Sequence, residues 1–342
     1  MSAIKMKQLW WTHDKEIELK EVEVPDVKPN EVKVKVAYAA ICASDVHQVE
    51  QNVMGAQPPA PLGHEASGVI VELGEEAEAA GYKVGDKVTM FPVSHCGQCE
   101  NCKKGLQQYC INAKATGAFA EYVVTDVKTI YKLPDDADLM KYAIVEPTNC
   151  CLRALDLAPI RHGANVAIAG VGGIGSIMLN QIILSGASNI TVIDPVPEKR
   201  QMALEMGAKY VIDPFNENVL ERAMEITNGA GFDQVFEMSG STKSAQTPID
   251  ILARCGTAVY FAVFPPTFEM PLNLHTLYMK EGRIQTVFTS PQIMNRSINM
   301  IDRMQTDKII GKIMPLAEAV ESFEVFHTSK YCKILLDCSK PE

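Results

Sequence analysis

The chain has 342 residues, 47% hydrophobic and 22% charged, an ordinary composition for a folded protein and long enough for two domains of roughly 150 residues each. Its 42 acidic residues against 32 basic ones give a formal charge of −10, which argues against a general nucleic-acid binder, since such a protein needs a basic face. No apolar run reaches the ~18 residues of a spanning helix, and "MSAIKMKQLWW" lacks the basic and apolar regions of a signal peptide, so the expected setting is the cytoplasm, without membrane or nucleic-acid partners.

Residues 1–149 are rich in short β-like runs. "EVKVKVAYAA" (31–40), "SGVIVELG" (67–74), "DKVTMF" (86–91) and "FAEYVV" (119–124) read as strands, punctuated by Gly, Pro and Asp in "PPAPLGHE" and "YKVGDKV". This part reads as a mostly β domain. Inside it, "SHCGQCENCKKGLQQYC" carries Cys96, Cys99, Cys102 and Cys110 among polar neighbours. In a reducing compartment such spacing favours metal over disulfides or core thiols. Four thiolates complete a tetrahedral shell with no open position, so this lobe (96–110) reads as a structural zinc site. His95 is surplus to it and reads as a surface residue.

From about residue 150 the texture changes to strand–helix alternation, the signature of a parallel sheet covered on both faces. "NVAIAG" (165–170) is a strand, "GGIGSIMLNQIILSG" a helix ending at Gly186, and "NITVID" a strand. "PEKRQMALEMG" is a helix with Pro in its first turn, and "YVID" is a strand. A helix near 217–227, the strand "QVFEMSG", a helix near 243–254 and the strand "GTAVYFAVF" continue the pattern. The unit spans 150–288. The remaining 289–342 holds a helix and a strand that return to the first domain.

"GVGGIG" places Gly170, Gly172 and Gly175 in the G-x-G-x-x-G pattern between a strand and a helix, the context that makes it a dinucleotide fingerprint. Asp194 ends the next strand. Its carboxylate can accept both ribose hydroxyls and repels a 2′-phosphate, which favours NAD over NADP, although Arg200 lies nearby. Asp213, in "VIDP", falls after the third strand and reads as a turn residue.

A closed zinc does no chemistry, so an open one is sought. "ICASDVH" offers Cys42, Ser44, Asp45 and His47, "PLGHEASG" offers His64 and Glu65, and "IVEPTNCC" offers Glu146. In this order, with the four-cysteine lobe and "GVGGIG", these motifs resemble the zinc-dependent medium-chain dehydrogenases, the alcohol and polyol dehydrogenase superfamily, over essentially the whole chain. The resemblance implies an α/β protein with a GroES-like mostly β catalytic domain and a Rossmann domain with a doubly wound parallel sheet. It implies two zincs per chain, one catalytic and one structural, NAD held by Gly170, Gly172, Gly173, Gly175, Asp194 and Lys199, and a homodimer or homotetramer.

Position by position, the resemblance makes Cys42 and His64 catalytic zinc ligands, with Glu65 or Glu146 as the third, direct or through water. Asp45 would orient His64, and Lys333, in "KILL", would pair with Glu65. Ser44 and His47 resemble a relay that carries the alcohol proton outward. The implied reaction is zinc-assisted hydride transfer between a small secondary alcohol and NAD to give a ketone. Polyol enzymes of the family show Phe-Arg where this chain has Phe288-Thr289. The missing cation points away from sorbitol itself and toward another polyol, a cyclitol or a larger substrate. A threonine-type amino-alcohol dehydrogenase shares the Glu at 146 and is the alternative. A non-catalytic NAD-binding protein is a second one, but such proteins lose the ligands that are all present here.

Overall fold

The computed structural model describes residues 4–52, 57–291 and 293–340. The chain divides into two compact units, one formed by 1–149, 290–306 and 310–342, the other by 150–289 and 307–309.

The first unit is built on an open sheet whose strands run in the spatial order Ile130–Lys132, Lys87–Met90, Glu65–Leu73, Glu31–Ala40, Lys333–Asp337 and Ile310–Pro315, with Tyr122–Asp126 also on Glu31–Ala40. The central strand shows why the sequence pattern works. Val32, Val34 and Val36 are fully buried, while Lys33 and Lys35 lie on the opposite face, the two-residue period of a sheet with one dry side. Each fully buried Val, Leu or Ile of that core contributes about 1.5–3 kcal/mol. An N-terminal hairpin, Lys5–His13 with Glu16–Glu23, adds a small second sheet, and turns on Asp14 at φ 43°.

Two registers in this unit matter for chemistry. Ala40 pairs with Glu65 across one edge of the central strand. Across the other edge Ala40 pairs with Leu335, and Ile41 N–H donates to the Ile334 carbonyl at 2.9 Å. The end of strand 31–40 is therefore flanked by Glu65 on one side and Lys333 on the other.

The second unit holds a six-stranded, wholly parallel sheet in the order Tyr210–Ile212, Asn189–Ile193, Asn165–Ala169, Phe232–Glu237, Leu252–Tyr260, Arg283–Thr286. Numbered along the chain this is 3-2-1-4-5-6, the Rossmann order, with the strand direction of winding reversing between Asn165–Ala169 and Phe232–Glu237. The helix expected over 243–254 is shorter, Thr247–Asp250. Leu252 onward is instead a strand against Phe232–Glu237, because Ile251 and Leu252 gain full burial there and Phe232 N–H bonds the Ile251 carbonyl. Among the described residues no helix is long and apolar enough to cross a membrane.

Candidate metal centres and nucleotide site

Cys42 stands at the junction of strand Glu31–Ala40 and helix Ala43–Gln51, in extended conformation at the helix N-cap. Asp45, at the third helical position, closes that junction: its carboxylate accepts the Cys42 N–H at 3.1 Å. The other carboxylate oxygen accepts from Gly63 N–H at 3.3 Å and lies 2.9 Å from His64 Nδ1. Gly63 has φ 93°, and a Cβ there would fall 2.5 Å from Phe119 N, so only glycine fits beneath this turn. With Nδ1 engaged by Asp45, Nε2 is the His64 nitrogen that could ligate a metal. Ser44 Oγ lies 3.4 Å from that Nε2.

Ligand atoms of Cys42, His64 and Glu65 lie within 4.8 Å of one another. A thiol, an imidazole and a carboxylate are the donors a zinc with an open fourth position uses. Glu65 is fully buried, and Lys333 Nζ lies 2.6 Å from each of its oxygens and 3.1 Å from the Ile41 carbonyl. Burial alone would lower the Lys333 pKa, but the charges of Glu65, Cys42 and Glu146 and the bond to Glu65 raise it. Glu146, buried in the first turn of helix Val145–Leu157, is thus close enough to act on Lys333, although it falls outside the 4.8 Å set. For His64, burial works downward, but the Asp45 carboxylate and Cys42 lift it well above the usual histidine value. His47 lies three positions after Ser44 on the same helix face, half-buried.

The four-cysteine lobe hangs from the short pair Val93–Ser94 and Lys114–Ala115. Its ligand atoms also lie within 4.8 Å of one another, and Cys96 and Cys110 Sγ are 3.6 Å apart, close to the ~3.8 Å edge of a tetrahedral Zn–S₄ shell. None of the ten cysteines is disulfide-bonded. Backbone N–H groups of Gln98 and Cys99 bring the Cys96 thiol down to about 6, whereas desolvation pushes Cys102 up to about 12. Without a metal the four could not all be thiolates near neutrality; a divalent cation deprotonates its thiol ligands outright. The donor set therefore fits zinc. His95 is half-buried rather than a surface residue, its ring centroid 5.3 Å from that of Phe91, and burial lowers its pKa.

In the second unit Gly170 leaves its strand at φ 91°, and a Cβ on Gly175 would sit 2.1 Å from the Gly170 carbonyl oxygen. A Cβ on Gly172 would meet nothing within 4 Å, which leaves backbone open to a ligand at the start of helix Gly173–Leu184. Asp194 is buried; one oxygen accepts Val171 N–H and the other Val196 N–H, each at 2.9 Å, leaving a lone pair on each for a hydroxyl. Lys199 is half-buried on helix Pro197–Met206, and it is Arg200 beside it that reaches Asp194. Sequence reasoning missed Glu237. This buried carboxylate ends strand Phe232–Glu237 and accepts the N–H groups of Ser239 at 3.1 Å and Gly240 at 3.2 Å. It thereby shapes the loop that packs on Gly170, whose added Cβ would be 2.8 Å from Ser239 Cβ. The available signal was an acidic residue directly before "MSGS".

Residues 28–135 match the alcohol dehydrogenase GroES-like domain and residues 173–306 match the zinc-binding dehydrogenase domain. The chain is 31% identical to an L-threonine 3-dehydrogenase of Pyrococcus furiosus, over 93% of this chain and 94% of that one. It is 31% identical to a scyllo-inosose 3-dehydrogenase of Thermotoga maritima, over 92% and 88%. A structure from Clostridium scindens, described as a zinc-binding dehydrogenase, superposes with TM-score 0.92 at 38% identity, covering 97% of this chain and 99% of that one. One from Sinorhizobium meliloti, similarly described and bound to NADP, gives 0.90 at 28%, covering 98% and 99%. The chain belongs to the zinc-dependent medium-chain dehydrogenase superfamily. Within it, it is an alcohol dehydrogenase of the zinc type, an oxidoreductase.

Proposed function

We propose that this enzyme transfers hydride between NAD and a secondary alcohol, a polyol, sugar alcohol or cyclitol, to give the ketone. The observation that carries the reading is the convergence of Cys42, His64 and Glu65 donor atoms within 4.8 Å, backed by Asp45 and Lys333. A zinc held by these residues would supply Lewis acidity that lowers the pKa of an alcohol, and a bound nicotinamide would be the hydride acceptor. Cys42 and His64 are the constant ligands, with Glu65 as the third and Glu146 as a second carboxylate at the same centre. Asp45 holds His64 in the tautomer that ligates through Nε2. Lys333 neutralises Glu65, so that the buried carboxylate does not cancel the metal's charge toward substrate. Ser44 relays the alcohol proton, its hydroxyl accepting one proton as it gives up its own toward the cofactor ribose, and His47 passes the proton on to solvent.

On the nucleotide side, Asp194 accepts the adenosine ribose hydroxyls, with Gly170, Gly172, Gly173 and Gly175 around the pyrophosphate and Lys199 at the rim. Two zincs per chain and NAD follow from these assignments, and unlinked cysteines fit a cytoplasmic setting. A threonine-type amino alcohol is the second reading, favoured by the threonine dehydrogenase relative and by Glu146. Self-association as a homodimer or homotetramer is supported by edge strand Arg283–Thr286 beside the exposed Tyr278, Met279 and Ile284.

The direct test is a screen of purified enzyme against polyols, cyclitols and amino alcohols with NAD and with NADP. Turnover of a polyol or cyclitol with NAD preferred is expected. Preference for threonine would replace the substrate class, and preference for NADP would remove the role given to Asp194.

The relay has its own expected result. His47→Gln should slow oxidation near neutral pH about a hundredfold, the low end of what a positioned acid–base group contributes. High buffer concentration or higher pH should restore part of the rate, and metal content should not change. A variant that oxidises at the wild-type rate across pH would take His47 out of the path.

A further inference from the structure

We infer that Asp213 is a specificity-determining residue: it tethers Arg200 and so withholds from the nucleotide site a guanidinium that could receive a 2′-phosphate. The inference rests on the reading of Asp194 as the ribose acceptor. Asp194 and Asp213 end adjacent parallel strands, with Ile193 paired to Ile212 and Asp194 N–H donating to the Ile212 carbonyl at 3.2 Å. Arg200 lies between them. Its Nη1 donates to the Asp194 main-chain carbonyl at 2.7 Å, and its Nη2 lies 2.8 Å from Asp213 Oδ2. The guanidinium is therefore within one hydrogen bond of the residue assigned to the ribose, yet its charge is spent on a second carboxylate.

Asp213 is itself held in place. Oδ1 accepts Phe215 N–H and Oδ2 accepts from Asn216 Nδ2, each at 3.0 Å, and these bonds, with Arg200, lower its pKa. Both side chains of the pair are mostly shielded, at 16% and 14% exposure, so water does not readily replace either partner. Because the Asp194 contact is through its main-chain carbonyl, the Asp213 carboxylate is the one paired with the guanidinium, and it neutralises the Arg200 charge that the 2′-phosphate dianion of NADP would need. The turn-residue reading of Asp213 is thus incomplete: the side chain caps its turn and also sets the electrostatics of its neighbour strand. With Asp213 uncharged, Arg200 becomes available, and an arginine–phosphate pair is among the strong charge-assisted contacts.

The test measures NADH and NADPH dissociation constants by fluorescence titration of the zinc-loaded enzyme. In an Asp194→Ser background, adding Asp213→Asn should tighten NADPH on the order of tenfold, leave NADH within about twofold, and lose the gain when Arg200→Met is added. Asn keeps an oxygen for Phe215 N–H; Asp213→Ser, also uncharged and able to cap, provides a second variant. Unchanged NADPH affinity in both Asp213 variants, or a gain that survives Arg200→Met, overturns the inference. The Asp194 reading is judged separately by Asp194→Ser alone, which should weaken NADH. If it does not, that reading falls, and the Asp213 role then stands only if Asp213→Asn by itself tightens NADPH through Arg200.

Discussion

Replacing Cys42 by Ala should leave a folded protein with one metal equivalent instead of two and almost no turnover. The loss in kcat/KM should be at least about 10³-fold, since a metal Lewis acid supplies several kcal/mol of charge stabilisation and each 1.36 kcal/mol is a decade in rate. Thermal stability should change little, because Cys42 is only half-buried at a strand–helix junction and its N–H remains bonded to Asp45. NADH binding should also persist, because the glycine-rich loop and Asp194 belong to the other unit. A Cys42→Ala enzyme that keeps two zincs and its rate would dismantle the proposed catalytic centre.

Cys99→Ser should give the opposite pattern. Metal content should again fall by one equivalent, but the cost should appear as stability. Structural zinc sites carry folding free energy of ~10 kcal/mol or more in small zinc domains. Here the lobe's regular elements are few: a helical turn at Glu100–Lys103 and a 3₁₀ turn at Gln107–Tyr109. The segment 96–110 should open locally, become the first site of limited proteolysis, and lower the thermal midpoint. The catalytic zinc should remain. Full metal content and an unaltered midpoint would show that the four thiols do not form a structural site.

Much of this architecture is legible in the sequence because burial there is periodic. "EVKVKVAYAA" alternates and is the strand Glu31–Ala40; "NVAIA" and "NITVI" are short apolar runs and are buried parallel strands. The glycine pattern was readable because each glycine answers a steric demand, such as the 2.1 Å approach at Gly175. Other features carried no local signal. The N-terminal hairpin turns at Asp14 without an Asn-Gly or Asp-Gly pair, so "THDKEIELK" did not announce a turn. The helix expected over 243–254 is cut to Thr247–Asp250, and its last residues join the strand from Leu252 because sheet burial outweighs local propensity. Cys42, His64, Glu65 and Lys333 were each weak signals, and only the registers Ala40–Glu65 and Ala40–Leu335 bring them together. Resemblance could suggest that grouping; spacing along the chain could not. Asp213 illustrates the same limit, since its partner Arg200 is fixed by the lateral pairing of two strands.

The central strand of the first unit has a consequence for the order in which the molecule can be made. Its partner Lys333–Asp337 arrives 268 residues after Glu65, the residue whose charge Lys333 neutralises. Between them the ribosome delivers the whole of 150–289, a nearly continuous stretch with its own sheet. The nucleotide unit can therefore fold while synthesis is still under way. The catalytic unit meanwhile has the Tyr38–Ala40 edge of its central strand uncovered, since Tyr122–Asp126 pairs only with Glu31–Lys35, and a buried-to-be carboxylate without its cation. Closing so large a loop carries an entropic cost before any contact repays it. During that interval the Tyr38–Ala40 edge is open to wrong pairing, and a chaperone would shield it.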